Sequence, residues 1–483
     1  MKIIDELTMQ GKEKETKITF WTSDANGKVK INQIDLIRFL QDAGFFKITS
    51  SNSTTIVRVR DNKVTEVADY QIVDFIKEFL LDNQEHGVLE VFSNGITNLL
   101  NSKKLDLLDS IIIPEDRDTC DSSWFYYKNE AVKVETGSIN TFKYESLSGK
   151  IWESRIIDRE YTKSNSGKSD FEEFIYNLAG KNDDRFLALK TTIGYLLHRY
   201  QDPSVTRAII FMDENISFDG TANGGTGKTL ITEAVGKMRD LVGMDGKNIK
   251  GKSWFKNQRI TKTTDIVRYD DVQRDFNLET LYSTITSGIT VEKKYQDEFY
   301  IRPENAPKIV ISSNYIVKGT GGATDQRRRC EFEVSNHYSQ YHQPKDDFDY
   351  LFFNEWNKEQ WSQFDQFMMS CVMTYLDKGL IIAEPINLIK NKLLLSTSKD
   401  FLEFMEKEMQ LDKWLDKRKF HSLFIEKYSN SKEVTTHQLT KWVKEYASQK
   451  DLIYEDKSSG GDYTFILKNI EGGEDEKKRN YLQ

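Results

Sequence analysis

The stretch "TANGGTGKTL", residues 221 to 230, constrains this chain more than any other. Glycines packed around a lysine let backbone N–H groups come within hydrogen-bonding reach of phosphate oxygens, provided a strand precedes the loop and a helix follows it. Both are legible. "TRAIIFMD" is strand-like, and "TLITEAVGKMRDLVG" sets Leu230, Ile231, Ala234, Val235, Met238 and Leu241 on one helical face. Two departures from G-x-x-x-x-G-K-[ST] stand out: Ala222 replaces the first glycine, and "ENISFDG" separates strand from loop. The expected nucleotide contacts are Asn223, Gly224, Gly225, Thr226, Gly227, Lys228, Thr229 and Leu230. In this reading the amides of Gly224 to Gly227 cradle phosphates, Lys228 reaches the β and γ oxygens, and the Thr229 hydroxyl ligates Mg²⁺. ATP and Mg²⁺ are the cofactors implied.

A phosphate loop that hydrolyses its nucleotide needs acids at the end of another strand. "TDIVRYDDVQ" supplies Asp270 and Asp271 after a β-rich run. Asp270 is expected to share the metal with Thr229, while its neighbour polarises the attacking water. Further on, "PKIVISSNY" is an apolar strand ending in Ser312, Ser313 and Asn314. Ligands of parallel α/β sheets bind at that edge, so Asn314 is placed to orient water against a γ-phosphate. "GGATDQRRRCEFEVS" then carries Arg327, Arg328 and Arg329. Arginine keeps its charge and pairs with phosphate through two donors, so one of these three, presented across a subunit boundary, would complete a neighbour's site.

This order of loop, acidic pair, polar strand end and arginines resembles the motor domain of superfamily 3 helicases. It is most similar to the poxvirus-type primase-helicases and their relatives in phages and mobile elements, on the strength of "NGGTGK", "DDV" and "SSNY". The resemblance covers roughly residues 170 to 345. It implies an α/β fold with an AAA+ type P-loop NTPase core, a homo-oligomeric ring, usually a hexamer, and ATP-driven movement along single-stranded DNA. Such motors carry a hairpin between the acidic pair and the asparagine strand that projects basic residues into the pore. Here "TVEKKYQDEFYI" offers Lys293 and Lys294 beside Tyr295, lysines for backbone phosphates and a ring for base stacking. No clear DxD-type metal-binding constellation of a primase is found in the first 170 residues, so the resemblance implies a helicase of phage or mobile-element replication working on forked duplex DNA beside a separate primase. A nucleotide-switched loader or assembly ATPase, and an RNA helicase, are the rival readings.

The 483 residues leave room for two to four domains. Their net charge of −8 excludes a polybasic coat but not a local basic channel. Lys247, Lys250, Lys252, Lys256, Arg259 and Lys262 form one candidate DNA-facing stretch. The three cysteines are scattered and the six histidines form no HxxxH pair, so buried reduced thiols and no structural metal are expected. No apolar run reaches the ~18 residues of a membrane helix, and a cytoplasmic protein without membrane contact is expected. Residues 1–115 read as an accessory α+β domain in which a hairpin-helix unit occurs twice, and 116–168 as a β-rich connection. A helical block (169–200), the motor (201–345) and a helical lid or spacer (346–395) follow. Helix, helix and hairpin over 396–470 are winged-helix-like, and 471–483 is a disordered tail.

Overall fold

The structure is a computed structural model that describes residues 19–49, 54–113, 118–164, 167–216, 225–248, 257–293, 298–428, 431, 433–459 and 461–469. The tail 471–483 lies outside them. Mixed α/β in class, the chain divides into two compact units. The described residues of 1–116 and 142–156 make the first, and those of 117–141 and 157–483 the second.

In the first unit the two expected hairpins form. Trp21–Ser23 pairs antiparallel with Val29–Ile31, and Thr54–Arg60 with Lys63–Glu66. The second turn is tight because Asp61 and Asn62 both take left-handed backbone, at φ 47° and 61°, as a two-residue hairpin loop requires. Helices Gln33–Asp42 and Asp69–Asp82 follow the hairpins. The repeat is nevertheless unequal. Gly44 at φ 89° turns the chain so closely that a Cβ would stand 2.3 Å from the Val59 carbonyl oxygen, and the aromatic and β-branched run Phe45–Thr49 becomes a third strand beside Thr54–Arg60. Ile151–Trp152 adds a fourth, parallel to Lys63–Glu66. Phe20, Leu36, Leu40, Ile72, Ile76 and Phe92 fill the core of this unit.

The second unit is organised by a five-stranded parallel sheet in the order Leu241–Asp245, Ile266–Asp270, Lys308–Ser313, Ala208–Asp213, Arg329–Val334. Every residue of Ala208–Asp213 and of Lys308–Ser313 is buried, the mark of strands covered on both faces. The helix after the glycine loop runs only from Lys228 to Gly236, shorter than its periodicity predicts. Leu241 instead opens a strand. Between them the buried Arg239 gives its guanidinium to Leu197 O, Trp124 O and Ser123 Oγ, which ends the helical run. Asp170–Leu178 and Asp183–Leu197 form the helical block, and Lys358–Lys378 packs on the latter through Phe364, Met368, Cys371 and Val372. At Gly194 a Cβ would lie 2.2 Å from Cys371 O, so the two helices approach as closely as they do because the position has no side chain. Cys330 and Cys371 are buried, but Cys120 is exposed, against expectation. Helices Lys417–Lys427 and Thr436–Gln449, the second capped by the Thr435 hydroxyl, precede an antiparallel hairpin of Leu452–Ser459 and Asp462–Asn469.

Beneath the sheet lies a buried charge cluster. Asp118 pairs with Arg199 at 3.0 Å and Arg239 at 3.5 Å, and these cations hold its carboxyl well below the usual range although burial alone would raise it. His198 donates from Nε2 to the carbonyls of Thr119 and Ser122 at 2.8 and 3.3 Å. Burial, and then the nearby Lys308 ammonium, push His198 down to about 4. An unfolded chain takes up this proton near pH ~6.5 while the folded one refuses it until about 4, so stability is lost as pH falls through that window. A His198→Gln variant, whose amide can still donate, should show a flatter unfolding midpoint between pH 6.5 and 4 than the wild type; equal slopes would contradict the assignment.

Candidate functional site

Each part of the site is the polar end of an apolar element. The strand Ala208–Asp213 ends in a buried carboxylate. Gly225 and Gly227 take φ of 91° and 100°, values that favour glycine. A Cβ on Gly227 would also press on Leu178 at 3.0 Å and Phe174 at 3.1 Å. Gly227 caps the helix that begins at Lys228, and the N–H groups of a helix's first turn have no partner within the helix. Asn223 and Gly224 lie outside the described residues.

Lys228 is buried beside three side chains. Its ammonium pairs with Asp213, donates to Asn314 Oδ1 at 3.1 Å and lies 3.4 Å from Thr226 Oγ1. The Thr226 hydroxyl itself donates to Asp213 at 2.5 Å. Asn314 then donates from Nδ2 to Asp271 Oδ1 at 2.8 Å, and Lys247 reaches the other oxygen of Asp271 at 2.6 Å. Lysine, amide and carboxylate therefore form one chain of contacts across the end of the sheet. It is short because Lys308–Ser313 is inserted between the loop strand and the acidic strand, which brings Asn314 between Lys228 and Asp271.

Asp270 is the last residue of its strand, and Ser312 Oγ donates to it. Arg268 lies 3.8 Å from the same carboxylate. Asp271 leaves the strand in left-handed backbone at φ 50°, its N–H held by Ser312 Oγ at 3.0 Å. The paired acids thus point differently, Asp270 toward Ser312 and Asp271 toward Asn314. An open cleft of about 650 Å³ is lined by residues 225–230, Asp270, Asp271, Ser312 and Asn314, and on its far wall by Ser339, Gln340, Gln343 and Pro344. Thr229 is exposed at its mouth.

The arginine run does not behave as a unit. Arg329 is buried and pairs with Asp325 and Glu331, both at 2.9 Å, within its own chain. Arg328 donates to Thr324 O at 2.8 Å and lies over the Tyr282 ring. Arg327 is exposed. The expected basic hairpin is present as Ile289–Val291 paired antiparallel with Phe299–Ile301. Lys293 lies 5.7 Å from the Phe299 ring, and Lys262 5.9 Å from the same ring. Lys294 and Tyr295 lie outside the described residues, as do Lys250, Lys252 and Lys256.

Asp213 is the site residue that sequence reasoning missed. Its signal was available: an acid ending a strand whose other residues are all apolar, just ahead of the loop. The fold and site together define a parallel α/β core with a glycine loop, a lysine and two acids at one sheet edge. No family model matches the chain, and no curated protein does. Among solved structures, the apo structure of the NrS-1 C-terminal region is similar at 13% identity and a TM-score of 0.44, over 90% of this chain and 99% of that one. The A form apo structure of that region gives 14% and 0.41, over 89% and 98%. Drosophila ORC bound to DNA gives 12% and 0.17, over 70% and 96%. Among the described residues, no helix is long and apolar enough to cross a membrane.

Proposed function

We propose that the chain is an ATP-dependent DNA helicase of the superfamily 3 kind, acting as a homo-oligomeric ring on single-stranded DNA during phage or mobile-element replication. The observation that carries the reading is the convergence of Lys228, Asp270, Asp271 and Asn314 on one cleft beside a glycine loop that opens a helix. Left-handed glycines, free helix N–H groups and two carboxylates fit a nucleoside triphosphate with its magnesium. Asn223 to Leu230 would hold the phosphates, and Thr229 with Asp270 the metal. Magnesium, when bound, supplies neutralisation of phosphate charge. Lys228 moves from Asp213 toward the phosphates, and Asn314 and Asp271 hold the attacking water. Arg327, exposed and without a side-chain partner among the described residues, is the finger offered to the next subunit.

Lys293, just past the strand Ile289–Val291, and its sequence neighbours Lys294 and Tyr295 would grip the DNA backbone and stack on a base. The C-terminal order of helix, helix and hairpin supports a winged-helix module for duplex DNA or a partner such as a separate primase. ATP turnover measured without polymer, with single-stranded DNA and with single-stranded RNA tests the proposal. DNA should stimulate turnover more than RNA does, and Lys293→Ala/Lys294→Ala should lose the stimulation while keeping basal hydrolysis. Turnover indifferent to either polymer would instead make this a nucleotide-switched loader, and a preference for RNA would make it an RNA helicase.

A further inference from the structure

Behind the far wall of the cleft, the segment after the last sheet strand gathers three ligand-type side chains that the nucleotide chemistry does not use. His337 Nε2 and His342 Nε2 each lie 3.1 Å from an oxygen of Asp347, one from Oδ2 and the other from Oδ1. All three ligand atoms lie within 4.8 Å of one another. Tetrahedral zinc bound at ~2.0–2.1 Å sets its ligand atoms about 3.3 Å apart, so these separations need little closing. We propose that His337, His342 and Asp347 form a binding site for a divalent transition metal of the zinc class, which pins the wall of the cleft.

The segment is built to present these groups together. Ser339 and His342 form a β-bridge that folds residues 339–342 into a turn, and the short helix Pro344–Phe348 brings the Asp347 carboxylate to the Nε2 atoms of both rings. Tyr338, fully buried, anchors the turn. Its ring stacks on His342 with centroids 5.7 Å apart and on Phe174 at 5.4 Å, and its hydroxyl accepts from Asn177 at 3.0 Å. All three side chains keep access to solvent, which leaves the fourth position to water.

The site bears on the cleft through the residues between its ligands. Ser339, Gln340, Gln343 and Pro344 line the cleft, and the backbone of Ser339 and Gln340 runs so close that a Cβ on Gly225 would touch it at 3.4–3.5 Å. A metal that fixes the turn therefore fixes one wall around the glycine loop. This inference goes beyond the proposed activity, and stands or falls without it.

Zinc chloride titrated into the full chain against a chromophoric chelator, with Cys120→Ser as background to remove the exposed thiol, tests the site. One equivalent should bind at micromolar or tighter affinity, and cobalt in its place should give the intense visible bands of a tetrahedral ion. His342→Gln and Asp347→Asn should each weaken zinc by more than the ~10–100-fold that loss of an outer-shell partner costs, and the double variant His337→Gln/His342→Gln should lose the cobalt bands. Zinc should also raise the thermal midpoint of the parent and not of the double variant. The proposal is overturned if the parent takes up no zinc, or if the double variant, folded by circular dichroism, binds it as well as the parent.

Discussion

Lys228→Ala is expected to lower ATP turnover by on the order of 10²–10³-fold or more, because among the described residues it is the cation that lines the cleft where the phosphates would sit. It should also destabilise the fold. Lys228 is the partner of Asp213, a carboxylate 3% exposed, and leaving that charge with the Thr226 hydroxyl alone among the described residues should cost about 3 kcal/mol. The two effects separate in a double variant. Lys228→Ala/Asp213→Asn should recover most of the lost stability, since the amide is neutral, but none of the turnover. Recovery of both would mean that Lys228 serves the fold alone; denaturant unfolding beside a phosphate-release assay reads the two quantities.

Arg327→Ala is expected to leave stability unchanged, since the side chain is exposed, and to cost about 10³-fold or more in turnover if it reaches the neighbour's nucleotide. Mixing distinguishes this from a local effect. Subunits with Lys228→Ala keep the arginine and those with Arg327→Ala keep the loop. On statistical assembly about a quarter of the interfaces in an equimolar mixture would pair an intact loop with an intact arginine, and that share of activity should return. A mixture as inactive as its components would show that the arginine does not act across the boundary. Arg329→Ala should differ in kind. Its ion pairs with Asp325 and Glu331 make it a fold residue, so it should lower the unfolding midpoint.

Much of the site is legible in the sequence because its residues follow apolar runs. A strand that is buried throughout and then turns polar, as at Ser312 to Asn314, announces a sheet edge. The distinction between Asp270 and Asp271 is not legible, because it depends on the left-handed turn at Asp271 and on which side chain Ser312 and Asn314 select. Nor can a run of three arginines show that one is buried against Asp325. Helical spacing over 230–241 overran the true helix because Leu241 fits either period, and the buried contacts of Arg239 decide the matter. In the first unit the turns at Asn26-Gly27 and Asp61-Asn62 are readable from local chemistry. The pairing of Ile151–Trp152 with Lys63–Glu66 is not, since it joins residues far apart in the chain.

Under the proposed function, the cleft at residues 225–230 powers strand separation. A forked DNA duplex with a labelled strand, incubated with the full chain and ATP·Mg²⁺, tests it most directly. Strand release should require hydrolysable ATP, be absent in Lys228→Ala, and be lost in Lys293→Ala/Lys294→Ala while basal hydrolysis persists. Robust ATP hydrolysis with the fork left intact would contradict it.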